Sequence, residues 1–200
     1  AFTLALPVFA QTPKTQVQVY TTLLPESLAE FKGAFESENP DLEIVWRRES
    51  TGTLTARIIA ESEQARGDVI WGLAVTSMLD FKRRGILEPY APKNLAALRP
   101  LFRDADAVPS WIGMEAWVAA ICFNTVEAAK LNLPRPQSWF DLLNPVYKGK
   151  IAFSDPAASG TGYFHVSAFI QLFGEAKAWE FMDGLHRNIA IYEPSGTRPC

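Results

Sequence analysis

Short apolar runs alternate with longer stretches whose apolar residues recur every three to four positions, which restricts the chain to an α/β fold on mostly parallel sheets. Gln16 to Tyr20 (QVQVY) reads as the first strand. Pro25 then opens a helix whose Leu28, Phe31 and Phe35 share one face, and which ends near Asn39-Pro40. Leu42 to Arg47 is a second strand, Thr51 to Gln64 a helix, Asp68 to Trp71 a third strand, and Val75 to Arg84 a helix stopped by Gly85.

Residues 88 to 112 carry Pro89, Pro92, Pro100 and Pro109 without a clear period, so they read as a surface connection. The apolar run Ala116 to Phe123 (AWVAAICF) reads as a strand joining two lobes, residues 16–118 and 119–200. In the second lobe a helix follows Thr125, a short helix covers Ser138 to Leu143, and a strand covers Lys150 to Phe153. Helices at Thr161 to Phe173 and Ala176 to Asn188 and a strand at Ile189 to Tyr192 complete it.

With 48% hydrophobic and 12% aromatic residues in 200, there is ample material for a core. A net charge of -3 with 20% charged residues provides no basic field for nucleic acid or an anionic membrane, so a small ligand is expected. A monomer is expected as well. Both ends read as cut, which makes the chain a fragment. Ala1 to Ala10 (AFTLALPVFA) has the small-residue spacing of a signal-peptide remnant cleaved after Ala10, which implies export. In that setting Cys122 and Cys200 permit one disulfide and are expected to be bridged. Two cysteines are too few for a cysteine zinc site, and His165 and His186 are not at ligand spacing from them, so no metal site or cofactor is expected.

Three times a strand runs into a short Ser/Thr/Gly segment that opens a helix. These are Ser50-Thr51-Gly52-Thr53, Ser159-Gly160-Thr161-Gly162 and Ser195-Gly196-Thr197. Free backbone N–H groups and the dipole at a helix start favour an oxyanion, and glycine lets it approach the main chain. Any one segment is adequately explained as an N-cap; three of the same chemistry point to a shared cleft. Thr21 and Thr22, just past the first strand, add further hydroxyls. None of the segments has the Gly-Lys-Ser/Thr ending of a nucleotide loop. A ligand that also carries an ammonium group needs a carboxylate or an aromatic face, for which Glu115, Asp155, Glu193, Trp71 and Trp117 are the candidates, against their plainer roles as surface or core. His165 could be imagined as a base for Ser159 or Thr161, but there is no Gly-x-Ser-x-Gly elbow, and no enzyme is expected.

From Val19 to Cys200 the chain resembles the periplasmic 2-aminoethylphosphonate-binding proteins, within the iron(III)-type solute-binding proteins of ABC importers. SWFDLLNPVYKGKI and SGTG are shared across the wider class, while STGT, VIWGLA, AICFNT and SGTRPC in combination are the narrower signature. The resemblance implies a two-lobed type II binding fold, each lobe a mostly parallel sheet flanked by helices. It further implies reversible capture of a small phosphonate in the periplasm and delivery to permease subunits. Iron-binding relatives place a His near the position of Leu24, and its loss here argues against ferric iron. Ferric iron, another oxyanion or a phosphate ester remains the alternative ligand within the same class, and a secreted hydrolase or transferase of phosphorylated solutes the alternative activity.

Overall fold

The structure is a computed structural model that describes residues 13–199. The signal-remnant segment Ala1 to Ala10 and Cys200, and with it the expected disulfide, lie outside the described residues.

Strand β1 (Thr15–Thr21) is central to a three-stranded parallel sheet of order β2-β1-β3, with β2 at Leu42–Arg48 and β3 at Val69–Trp71. The register sets Val19 beside Trp46 and Val69, and Thr21 beside Trp71. Helix α1 (Pro25–Glu38) starts with Pro25 in its first turn and ends where the Asn39 side chain donates to the Phe35 carbonyl at 2.9 Å. Of its expected inner face Leu28 is buried, Phe35 is half-buried, and Phe31 is 38% exposed even though it packs on Trp71.

Helix α2 (Thr51–Ala60) and helix α3 (Val75–Arg83) cover the opposite face, where Tyr20, Leu54, Ile58 and Phe81 form one core. The α2 helix is shorter than expected. The Glu61 N–H is shared between the Arg57 and Ile59 carbonyls, and the chain tightens into a 3₁₀ turn at Ser62–Gln64. Gly85, at φ +69°, ends the α3 segment, as its freedom from a Cβ penalty allows.

The connection from 88 to 112 contains two short 3₁₀ turns and is tied to α3 by Asp104. That carboxylate is buried, accepts from Lys82 Nζ at 2.6 Å and receives the Ser110 N–H at 3.0 Å. Residues 116–123 correct an expectation: they form no strand. Their side chains alternate as a strand's do, with Ala119, Ile121 and Phe123 half-buried and Val118, Ala120 and Cys122 exposed. A ladder also needs a hydrogen-bonding neighbour, and none pairs with this run among the described residues.

Beyond it, α4 (Thr125–Lys130) is capped by Asn124 Oδ1, which accepts the Val126 and Glu127 N–H groups. The expected helix at Ser138 to Leu143 is a 3₁₀ turn at Phe140–Leu143, with Asp141 accepting from Gln137 and Ser138 N–H at its start. Strands β4 (Ile151–Ser154) and β5 (Ile189–Glu193) pair in parallel, joined by helices α5 (Gly160–Phe173) and α6 (Glu175–His186). Their core is Leu142, Phe169, Ala178, Phe181 and Leu185, with the Phe169 and Phe181 rings edge to face at 4.9 Å.

Candidate functional site

In a parallel α/β layer each strand delivers the next helix start to the same edge, the carboxyl end of the sheet. The starts of α2 and α3, at that edge of the first sheet, meet the start of α5, at that edge of the second, and Gly160 marks the point. A Cβ on Gly160 would lie 2.8 Å from Thr51 Oγ1 and 3.2 Å from the Ala74 Cβ. Thr51 opens α2, Ala74 is the N-cap of α3, and Gly160 opens α5. The backbone contact is direct, since the Gly52 N–H donates to the Ala158 carbonyl at 2.8 Å.

The third Ser/Thr/Gly segment joins from the other side. A Cβ on Gly196 would collide with Thr161, coming within 2.9 Å of its Cβ and 3.5 Å of Ser159 Oγ. Ser154 Oγ holds that segment by donating to the Ser195 carbonyl at 3.2 Å. Thr51, Ser159, Gly160, Thr161 and Gly196 therefore form one contiguous patch, flanked by Ser50, Ser195 and Thr197.

The hydroxyls differ in what they already hold. Ser159 acts as an N-cap, its Oγ accepting the Gly162 N–H at 3.4 Å. Ser50 is the N-cap residue of α2 yet makes no side-chain cap, its Oγ lying 3.0 Å from Thr53 Oγ1. Ser195 accepts the Thr197 N–H at 3.3 Å in a bend. Thr21 is fully buried, with its Oγ1 accepting the Leu23 N–H at 3.1 Å, so it shapes the turn after β1 and does not reach the patch. Asp155 is spent similarly on the Ala157 N–H at 2.8 Å, and Glu193 pairs with Arg198 at 3.4 Å.

Two cavities adjoin the patch, and Gly160 lines both. The smaller, about 450 Å³, runs between α2 and α3 and takes in Thr51, Thr55, Thr76, Ser77 and Ser159. The larger, about 970 Å³, follows the outer edge of β3 and takes in Trp71, Glu115, Trp117 and Phe164. Trp117 meets Phe164 edge to face at 4.8 Å, while Trp71 is wedged between Phe31 at 4.8 Å and Trp46 at 5.7 Å. Ionisable groups on the walls of the larger cavity are Glu61, Asp68, Glu88 and Glu115 against Arg66, an acidic balance.

One contributor escapes notice in the sequence: the α3 start, Gly72-Leu73-Ala74, which has no Ser or Thr before the helix. Its usable signal is the strand-glycine-helix turn itself, with Gly72 at φ +78° against Leu23. Acid placement gives a further cue. Helices α1, α4 and α6 each have an acid in the first turn, Glu26, Glu127 and Glu175, whereas α2, α3 and α5 have none.

His165 is not paired with any candidate nucleophile. It sits among Trp139, Phe153 and Phe169 at 5.0 to 6.0 Å, its Nδ1 buried without a partner, and burial holds the imidazole below its ordinary pKa range.

Two parallel sheets flanked by helices, with helix starts from both meeting at one point, have the α/β architecture of type II periplasmic binding proteins. Known proteins of that architecture are similar over most of this chain. AfuA from Actinobacillus pleuropneumoniae, whose structure has exogenous fructose-6-phosphate bound, aligns with a TM-score of 0.79 at 28% identity, over 93% of this chain and 59% of that one. The periplasmic binding protein P5PA aligns with a TM-score of 0.76 at 26% identity, over 91% and 58%. A Sinorhizobium fredii protein named y4fP, a probable ABC transporter periplasmic-binding protein, is 28% identical over 137 residues, 66% of this chain and 37% of its own length. Residues 67–196 match the family described as bacterial extracellular solute-binding proteins, and the chain belongs to that family. It spans less than half the length of the curated relatives it matches.

Proposed function

We propose that the chain is part of a two-lobed periplasmic solute-binding protein, lobes 16–118 and 119–200, that carries a small phosphonate to the permease of an ABC importer without altering it. 2-Aminoethylphosphonate is the ligand that best suits the site. The observation that carries this reading is the meeting of three helix starts at Gly160, none with an acid in its first turn. The positive dipole ends of these helices favour a tetrahedral oxyanion there, and the Thr51, Thr161, Ser50, Ser195 and Thr197 hydroxyls are its neutral donors. Neutral donors suit a carrier, which must also release its cargo.

An ammonium end has its own support. The acidic balance of the larger cavity, with Glu115 beside Trp117 and Phe164, suits a cation a short chain away from the anion. A phosphate monoester is the second reading, favoured by the likeness to AfuA and by a cavity of about 970 Å³.

Calorimetric titration of the full-length protein with 2-aminoethylphosphonate, fructose-6-phosphate, inorganic phosphate and ferric ion separates these. Saturable binding of the aminophosphonate with no product formed supports the first reading. Preference for the sugar phosphate supports the second, and binding of ferric ion alone would contradict both.

A further inference from the structure

Two hydroxyl groups join the start of α2 to the start of α3. Thr55 Oγ1, one turn into α2, donates to the Thr51 carbonyl at 2.7 Å and lies 2.8 Å from Ser77 Oγ in the first turn of α3. A carbonyl cannot donate, so the single Thr55 hydroxyl hydrogen is committed to Thr51, and Ser77 supplies the hydrogen between the two hydroxyls. The bonds therefore run one way, from Ser77 O–H through Thr55 O–H to the Thr51 carbonyl. Ser77 is itself tied back, its N–H donating to the Ala74 carbonyl at 3.0 Å. Ala74 and Thr51 are the residues nearest the space that a Cβ on Gly160 would occupy, so this relay begins and ends on the two groups that frame the meeting point. Among the described residues no other hydrogen bond links α2 to α3.

Helix stability alone does not account for the pair. A threonine that bonds back to the carbonyl four residues earlier weakens a helix slightly, and a serine that is only 7% exposed must find a partner to be tolerated there. We propose that Thr55 and Ser77 are positioning residues: their relay fixes where the α3 start stands relative to Thr51, and through those two groups sets how tightly the patch holds its anion. The first half is a property of the protein by itself, and the second rests on the reading of the patch as the anion site.

The test compares the full-length parent with Thr55→Val, which keeps the shape and drops the hydroxyl, Thr55→Ser, which keeps the hydroxyl, Ser77→Ala, and the Thr55→Val/Ser77→Ala double variant. Ser167→Ala is the control, since Ser167 Oγ bonds back to the Tyr163 carbonyl at 3.1 Å without reaching another helix. In amide proton–nitrogen correlation spectra without ligand, Thr55→Val should move the Ala74 and Val75 signals and Ser77→Ala those of Gly52 and Thr53. The double variant should move them no further, and Ser167→Ala should move none. In calorimetric titration with 2-aminoethylphosphonate, well below every melting temperature, Thr55→Val and Ser77→Ala should each weaken binding about three- to tenfold, the equivalent of one neutral hydrogen bond. The double variant should lose no more than either single one, and Thr55→Ser should bind like the parent. Should Thr55→Val fail to fold, Ser77→Ala with the control carries the same comparison. Affinities unchanged in variants that merely melt earlier would overturn the proposal, and so would losses that multiply in the double variant. If the parent binds no aminophosphonate while the signals of both helix starts still move, and no further in the double variant, the functional reading fails and the relay stands.

Discussion

His165 shows how far a residue's setting decides its role. On paper it is four residues from Thr161 and a conceivable base; in the fold it is a core side chain among three aromatic rings. Burial favours its neutral form, so the unfolded chain takes up a proton first as the pH falls. Stability is therefore intact above the free-histidine pKa of about 6.5 and declines as the pH drops below it. Thermal midpoints measured from pH 7.5 to 5.0 should fall in the parent and stay flatter in His165→Leu. A parent profile without that slope would mean the imidazole is solvated.

At the scale of elements, Pro25, the Asn124 cap and the Gly85 stop are local signals, and the helices they bound fall where the sequence places them. What was not legible depended on partners elsewhere in the chain. Residues 116–123 have the period of a strand, but pairing is a property of two segments, and Ile121 finds only side-chain cover against the Leu142–Phe169 core. The α3 start carries no hydroxyl run, so only its position after β3 reveals it. Thr21 looked like a donor because adjacency to a strand end does not disclose where a side chain turns. The Lys82–Asp104 pair could not be anticipated, since the two residues are joined only through the 88–112 connection. The Lys82 hydrogen bond and the Ser110 N–H hold the Asp104 carboxyl below the usual carboxylate range despite its burial. Asp104→Ala leaves the Ser110 N–H without its acceptor and Lys82 with Asp106 alone, and should lower the thermal midpoint by about 2–4 °C. Asp104→Asn, which keeps an acceptor for the Ser110 N–H, should lower it less; equal losses would assign the whole effect to the ion pair.

The molecule as a whole brings three helix starts from its two sheets to one meeting point and keeps acids out of the first turn of all three, although α1, α4 and α6 have acids in that position. An isolated helix gains stability from an acid in its first turn, by about 0.3–1 kcal/mol. Omission at the meeting point makes physical sense if that potential is reserved for a bound anion. If Thr51→Val or Thr161→Val removes one hydroxyl donor from that anion, each should weaken binding roughly ten- to a hundred-fold, the equivalent of a charged hydrogen bond. Loss of melting temperature with unchanged affinity would make these hydroxyls structural instead.

Thr76 provides the most direct test of the central claim, because it is exposed in the first turn of α3 and lines both cavities. Thr76→Glu supplies the missing acid, so stability and affinity should move in opposite directions. Titration of the full-length parent and this variant with 2-aminoethylphosphonate should show binding weakened by about tenfold or more, a cost of about 1.4 kcal/mol, while the melting temperature holds or rises. Undiminished affinity in a variant that melts no earlier than the parent would place the anion somewhere other than this meeting of helix starts.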